Sequence, residues 1–447
     1  MPTANLQIRY NLTMAWPLAF NALLVQSMLL IDTFLVAPLG ELAVAALGIA
    51  STLIAFILGV EIAIGNGIQL LVGRAFGSKS QEELAIAYWS GLVINISTSV
   101  LFFLILTIFD THIITAITNN AALIPVTETY LSITKYIVLI TAYTQVCTAL
   151  LNGCGKTRKP LQGFMIELPI NAAISYILIN GMADYQGLGV EGAAWGSLIA
   201  VIIRAAFLHL VLKTDLTINL SYPVNRKLSA EIGPQYLEIY PIAANFLVLS
   251  VGATIYHLLF AQLDLYSFVA ITLIFPWIRA GTQFPNSWAQ ASAITISQTL
   301  GQKDTQNLSL FVSAATRIGM WISVGVALVF IILSLSVPII YPNIALQTLS
   351  AIIAIASLFI ALPIVRAYNT IAGNILRALG QSNLVLKIHF ITQWLVALPL
   401  CAVLIIYLDA SIFWGFAMIP LEEVLKIYWF YRFKKHYVSL ANKKREL

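Results

Sequence analysis

Twelve long apolar stretches run through this chain, at roughly 12–37, 44–74, 85–109, 127–152, 161–183, 187–213, 235–260, 265–297, 310–340, 345–376, 384–407 and 411–433. An α-helix needs about 20 predominantly apolar residues to cross a hydrocarbon core of about 30 Å, and every stretch meets that length. The connections are short, because 447 residues shared among twelve spans leave about 37 for each. The pattern predicts an all-α polytopic membrane protein of twelve transmembrane helices with no room for a soluble domain.

Charge placement sharpens this picture. Arg9 precedes the first stretch, and Arg432, Lys434, Lys435, Lys443, Lys444 and Arg445 follow the last. Alternate connections carry Arg74 and Lys79; Lys156, Arg158 and Lys159; Lys213, Arg226 and Lys227; Lys303; Arg377 and Lys387. Together these make 18 of the 24 Lys and Arg, and the other connections carry none. Cytoplasmic loops hold the Lys/Arg excess, so both termini are expected in the cytoplasm and the chain in the cell inner (plasma) membrane. A chain that is 60% hydrophobic and 10% charged, with mean hydropathy +0.88, is not a soluble globular protein. The net charge of +5 sits in loops facing anionic lipid, which argues for the bilayer as partner and against nucleic acid. The first stretch is too long for the h-region of a cleaved signal. Cys147, Cys154 and Cys401 make no disulfide framework, and the five His make no metal-ligand spacing, so no cofactor or metal is expected.

The chain is also duplicated. Pro17-Leu18-Ala19-Phe20-Asn21 returns as Pro241-Ile242-Ala243-Ala244-Asn245, an offset of 224. The same offset joins Ala75-Phe76-Gly77-Ser78-Lys79 to Thr299-Leu300-Gly301-Gln302-Lys303, and an offset of 225 joins Leu151-Asn152-Gly153-Cys154-Gly155 to Leu376-Arg377-Ala378-Leu379-Gly380. These anchors predict a first six-helix lobe over 1–213, a cytoplasmic linker over 214–233, a second lobe over 234–433 and a basic tail over 434–447. Six spans per half is an even number, so the halves are parallel repeats, an arrangement typical of alternating-access transporters.

Several segments resemble one family. Trp16-Pro17 followed by Asp32-Thr33, the run from Gly65 to Gly77 with Gln69, Gly153-Cys154-Gly155-Lys156-Thr157-Arg158, Gly187-Leu188-Gly189 with Gly192-Ala193-Ala194, and Ile375 to Gly380 are similar to motifs of the MATE (multidrug and toxic compound extrusion) family. The likeness covers essentially the whole chain. It implies a secondary antiporter that exports amphipathic, often cationic organic compounds in exchange for H⁺ or Na⁺ by rocking two lobes, and it implies no enzyme. The chain is expected to work as a monomer. Asp32 matches the family's first-span acidic residue, tied to cation coupling, and Asn171 matches a fifth-span asparagine. Two acids common in the family's seventh and tenth spans are missing here. Phe246 and Leu247 follow Asn245, and the tenth span reads Ile364-Val365-Arg366-Ala367-Tyr368-Asn369. The coupling site is therefore expected in the first lobe.

Charges inside the spans are the remaining candidates, because each costs roughly 2.5–3.5 kcal/mol at the bilayer centre. Asp32 reads either as a cleft carboxylate that binds and releases a cation or as a hydrated acid near the outer surface. Glu61 reads either as a second cleft carboxylate or as a structural partner of Lys135 or Arg204. Glu167 stands one turn before Asn171 and shares its helix face. These four, Asp32, Asn171, Glu61 and Glu167, form the expected cation-coupling set. Gln69, Tyr143, Arg279 and Arg366 form the expected substrate cavity, the two Arg lying in a lobe where carboxylates look scarce. Glu422, Glu423 and Lys426 read as a local pair within the last span. Tyr130, Tyr143, Tyr256, Trp277 and Trp288 offer faces to a lipophilic cation or else contact lipid and anchor at the interface. A lipid-linked precursor flippase of the same superfamily is the alternative function, and Arg279 and Arg366 are its only hints. A membrane enzyme would need a cluster of His, Asp or Ser near one surface, and none is visible.

Overall fold

The computed structural model describes residues 4–118, 120–182, 185–218, 220–222, 228–303, 307–342 and 344–443. The first half of the chain forms α1 (Ala4–Val36), α2 (Glu41–Gly77), α3 (Gln81–Ile108), a short α4 (Asp110–Ile117), α5 (Leu123–Gly153), α6 (Arg158–Asn180) and α7 (Val190–Thr214). The second forms α8 (Leu228–Phe260), α9 (Leu265–Gly301), α10 (Leu308–Ile340), α11 (Leu346–Ala378), α12 (Ser382–Phe390), α13 (Leu398–Ala402) and α14 (Ile412–Lys443). Two π-helical segments, Ile391–Ala397 and Val403–Tyr407, run on from α12 and α13, so that Ser382–Tyr407 is one continuous span. A two-residue pairing of Gly181–Met182 with Tyr185–Gln186 is the only strand pairing among the described residues.

Eleven of the described helices are long and apolar enough to cross a membrane. α14 is the twelfth long helix, and three charged residues near its middle, Glu422, Glu423 and Lys426, set it apart from the rest. Helix starts follow ordinary capping rules. The Ser80 hydroxyl accepts from the Glu83 amide at 3.2 Å ahead of α3, and Asp264 accepts from the Ser267 amide at 3.1 Å ahead of α9.

The duplication is visible in backbone geometry. α1 and α8 are each 33 residues long and α2 and α9 each 37, offset by 224 at both ends. Lys79 and Lys303, the turn residues after α2 and α9, both take left-handed conformations, at φ 59° and 55°. α5 and α11 end alike. Gly155 and Gly380 stand at φ 79° and 78°, where a side chain would be strained. Lys156 N donates to Leu151 O, and Gln381 N to Leu376 O, each at 2.8 Å, closing the same Schellman turn.

The chain separates into two compact units, Phe20–Ala243 and Met1–Ala19 with Ala244–Leu447. The division falls inside α1 and α8, whereas the sequence repeat placed it in a 214–233 linker. Part of that stretch is already helix, since α8 begins at Leu228. The physical reason lies in what the starts of these two helices touch. In the first unit, Glu238 on α8 pairs with Arg74 on α2 at 2.6 Å, and Ile239 packs on Gly67, where a Cβ would meet it at 3.1 Å. In the second unit, Asn11 on α1 donates to Ser292 and accepts from Thr295 on α9, both at 3.1 Å. Each unit has its own apolar core. That of the first includes Leu47, Ile54, Leu131, Val138, Ala194 and Val201; that of the second includes Phe260, Ile271, Ile355, Phe359, Leu362 and Phe416.

Candidate functional site

Four helices of the first unit bring polar side chains together in an otherwise apolar interior. Asp32 lies one turn from the end of α1 and is only 7% exposed, so it is not a hydrated surface acid. Asn171 on α6 donates its Nδ2 to Asp32 Oδ1 at 2.9 Å. Its own Oδ1 accepts from Ser175, one turn further along α6, at 2.8 Å. Ser197 Oγ on α7 lies 3.3 Å from both Asp32 Oδ2 and Asn171 Oδ1, so its single proton serves one or the other. Small residues allow this approach: a Cβ on Gly196 would stand 2.1 Å from Ser175 Oγ. Every hydrogen-bond partner of the Asp32 carboxylate is thus electrically neutral.

Glu167, four residues before Asn171, is equally buried but differently held. Its carboxylate pairs with Arg204 Nη1 on α7 at 3.1 Å. Arg204 also donates from Nη2 to Thr144 on α5 at 3.0 Å and lies over the Phe164 ring at 4.1 Å. Glu167 and Asn171 share a face as expected, yet one engages a cation and the other the Asp32 site. Arg204 is therefore committed to Glu167, and the structural pairing of Glu61 with Arg204 or Lys135 is not formed. Lys135 lies over Phe103 instead. Glu61, fully buried on α2, has neither oxygen hydrogen-bonded. Ser99 on α3 is the hydroxyl that faces it. Three carboxylates and one cation, Asp32, Glu61, Glu167 and Arg204, are the charged residues buried in this unit's described part.

The expected cavity residues divide between the two units. Gln69 is buried on α2, where its backbone carbonyl lies against Gly153. Tyr143 on α5 shares a hydrogen bond of 2.7 Å with His209 Nδ1. Both belong to the first unit, whereas Arg279 on α9 and Arg366 on α11 belong to the second. Arg279 is exposed on its helix. Arg366 is not short of carboxylates, as its span alone suggested. Its Nε donates to Glu423 Oε1 on α14 at 3.1 Å. Glu423 Oε2 also accepts from Asn369 at 2.9 Å, and Lys426 lies 3.5 Å from Glu423 and pairs with Glu422. Tyr256 on α8 completes the network by donating to Glu422 Oε2 at 2.9 Å. The pairing of Glu422 with Lys426 one turn on is present, but the set is a buried hub joining three helices. Trp288 is structural, donating to the Ala315 carbonyl at 2.8 Å.

Sequence reasoning missed Ser197 and the link from Glu423 to Arg366. The first had a local signal in the small-residue run Gly192 to Gly196. A signal for the second unit was the repeat itself, since Tyr256 stands 224 residues after Asp32. Outside the membrane, Lys156 pairs with Asp215 and lies 2.5 Å from Thr217 Oγ1. Partial burial works against the Asp215 charge, but hydrogen bonds from Lys156 and Thr217 hold its carboxyl below the ordinary carboxylate range.

No group of three or more metal-ligating side chains occurs among the described residues. Comparison with known proteins now bears on this arrangement. The MatE family model matches residues 17–177. The chain is 30% identical over 173 residues to the probable multidrug resistance protein YoeA of Bacillus subtilis, an alignment covering 39% of this chain and 37% of that protein. It is 22% identical over 410 residues to the probable multidrug resistance protein NorM of Buchnera aphidicola, covering 88% of this chain and 89% of that one. A crystal structure of MATE in the bent conformation superposes with a TM-score of 0.90 at 14% identity, over 99% of this chain and 97% of the other, which shows a shared fold. The likeness to MATE transporters thus covers residues 17–177 by the family model and nearly the whole chain by fold.

Proposed function

We propose that the chain is a secondary antiporter that exports amphipathic, often cationic organic compounds in exchange for H⁺ or Na⁺, with Asp32 as the coupling group. One observation carries this reading. Asp32 is buried and bonded by neutral donors, while Arg204, the one buried cation among this unit's described residues, is taken by Glu167. When ionised, the Asp32 carboxylate is therefore one positive charge short of balance in a region where charge is costly, and a proton or Na⁺ restores neutrality. Asn171, Ser175 and Ser197 orient the carboxylate and supply oxygens near it. Glu167 acts as counter-charge to Arg204. Loading and unloading of Asp32 biases a rocking of the two lobes. The basic loops support a plasma-membrane protein with both termini on the cytoplasmic side, working as a monomer.

Reconstitution into proteoliposomes tests the reading, with pH and Na⁺ gradients imposed separately and ethidium as the transported probe. Ethidium should accumulate against its gradient under one of the two ions. Each charge moved down 100 mV supplies about 2.3 kcal/mol. Accumulation under neither gradient, for ethidium and a panel of organic cations, would sink it.

A further inference from the structure

We propose that Arg366 is an anion-recognition residue of the second unit, receiving the carboxylate of a transported compound. This rests on the export reading above and narrows its substrate class to include zwitterions.

The argument starts from the repeat. α1 and α8 match residue for residue at an offset of 224, so Tyr256 occupies in the second half the place of Asp32 in the first. In both halves a hydroxyl meets a carboxylate between the first helix and the last. Ser197 Oγ on α7 lies 3.3 Å from Asp32 Oδ2 on α1, within donating reach, and Tyr256 on α8 donates to Glu422 on α14. The roles are exchanged, and the charge balance changes with them. Glu422 and Glu423 face two cations, Lys426 and Arg366, so this hub has no vacancy for H⁺ or Na⁺.

What is left unsatisfied there is a donor. Arg366 uses Nε on Glu423, and no described residue accepts from its two terminal nitrogens. Its side chain keeps 31% of its surface exposed, while those of Lys426 and Glu422 keep 2% and 6%. That exposure is not on the outer face of α11. Ser350, Ile353, Ala354, Ser357 and Ala361 form the exposed stripe, whereas Arg366 continues the buried stripe of Ile355, Phe359 and Leu362 at spacings of four, three and four. Arg366 also stands twelve residues, about 18 Å, from the end of α11, within the length of the helix rather than at its tip. Glu423 fixes the guanidinium plane through Nε and is itself fixed by Asn369, so the free edge is pre-oriented. A planar fork with two free N–H groups matches a carboxylate bidentately.

The test compares a fluoroquinolone bearing a free carboxylate, its ethyl ester, and ethidium, which has no acidic group. Transport in proteoliposomes and equilibrium binding to the purified full chain, by tryptophan quenching, are measured for the unsubstituted protein, Arg366→Gln and Arg366→Lys. We expect Arg366→Gln to raise KM and Kd at least tenfold for the carboxylate, leave both within about twofold for the ester and ethidium, and be partly rescued by Arg366→Lys. Equal loss for all three compounds makes Arg366 a strut of the ion-pair hub and overturns the proposal, as does absence of carboxylate binding to the unsubstituted protein. Arg366-dependent carboxylate binding without transport of any compound supports the proposal and sinks the export reading instead.

Discussion

The two units build their polar interiors at matching places and balance them in opposite ways. In the first, three carboxylates and one cation are buried among the described residues, Glu167 takes the cation, and the carboxylate of Asp32 is held by an amide and a hydroxyl. In the second, Glu422 and Glu423 are neutralised by Lys426 and Arg366. Neutral donors leave a carboxylate able to gain or lose a cation without breaking anything else. A salt-bridged one cannot change charge without stranding its partner. The two repeats thus differ in kind: a buried carboxylate held by neutral donors in one, an ion-paired hub joining three helices in the other.

The largest expected effect tests the switching side. Asp32→Asn keeps shape and hydrogen bonding but removes the exchangeable charge. The substrate gradient in proteoliposomes should collapse to equilibrium, with normal expression and membrane insertion. A variant that still concentrates substrate would remove the coupling role from Asp32 and the contrast with it.

Glu423→Gln attacks the holding side. It removes the shared partner of Arg366 and Lys426, and breaking one member of a buried ion pair typically costs about 3–5 kcal/mol. A clear fall in Tm, followed in detergent by tryptophan fluorescence, is expected. Unchanged Tm would mean the hub is not structural.

A sharper comparison comes from Glu61→Gln. With neither oxygen hydrogen-bonded, the site accommodates an uncharged side chain, and an amide of the same shape should change Tm by far less than Glu423→Gln. A loss as large as that of Glu423→Gln would show that Glu61 works as a charge.

The smallest effect lies outside the membrane. The Asp215 carboxyl is held below its ordinary value of 3.8, so its pairing with Lys156 stabilises the fold above that pH and is lost as pH falls through the lower folded value. Asp215→Asn should leave Tm nearly unchanged at pH 7, because exposed pairs contribute at most about 1 kcal/mol. The small difference that remains should vanish in acid. A Tm gap that widened on acidification would contradict that sign.

Much of this was legible in the chain before any fold was built. Hydrophobic length gave the helices, and fixed offsets gave a duplication that the matching ends of α1 with α8 and α2 with α9 repeat in three dimensions. Membrane helices are set by local composition, because each must satisfy its own backbone hydrogen bonds. Asp32, Asn171 and Glu167 were visible as isolated polar residues in apolar runs, since such residues are costly wherever they occur.

Partnership was not legible. Nothing in the sequence says that Arg204 takes Glu167 and leaves Glu61 alone, or that Arg366 finds Glu423 fifty-seven residues on. Those choices depend on how helices rotate and approach, down to a Gly196 that lets α7 reach Ser175. Nor did the repeat reveal that the starts of α1 and α8 pack in the unit opposite to the rest of their own half. The sequence by itself determined which residues are costly to bury. The tertiary structure decided which of them balance one another, because charge compensation is a matter of a few ångströms between helices distant in the chain.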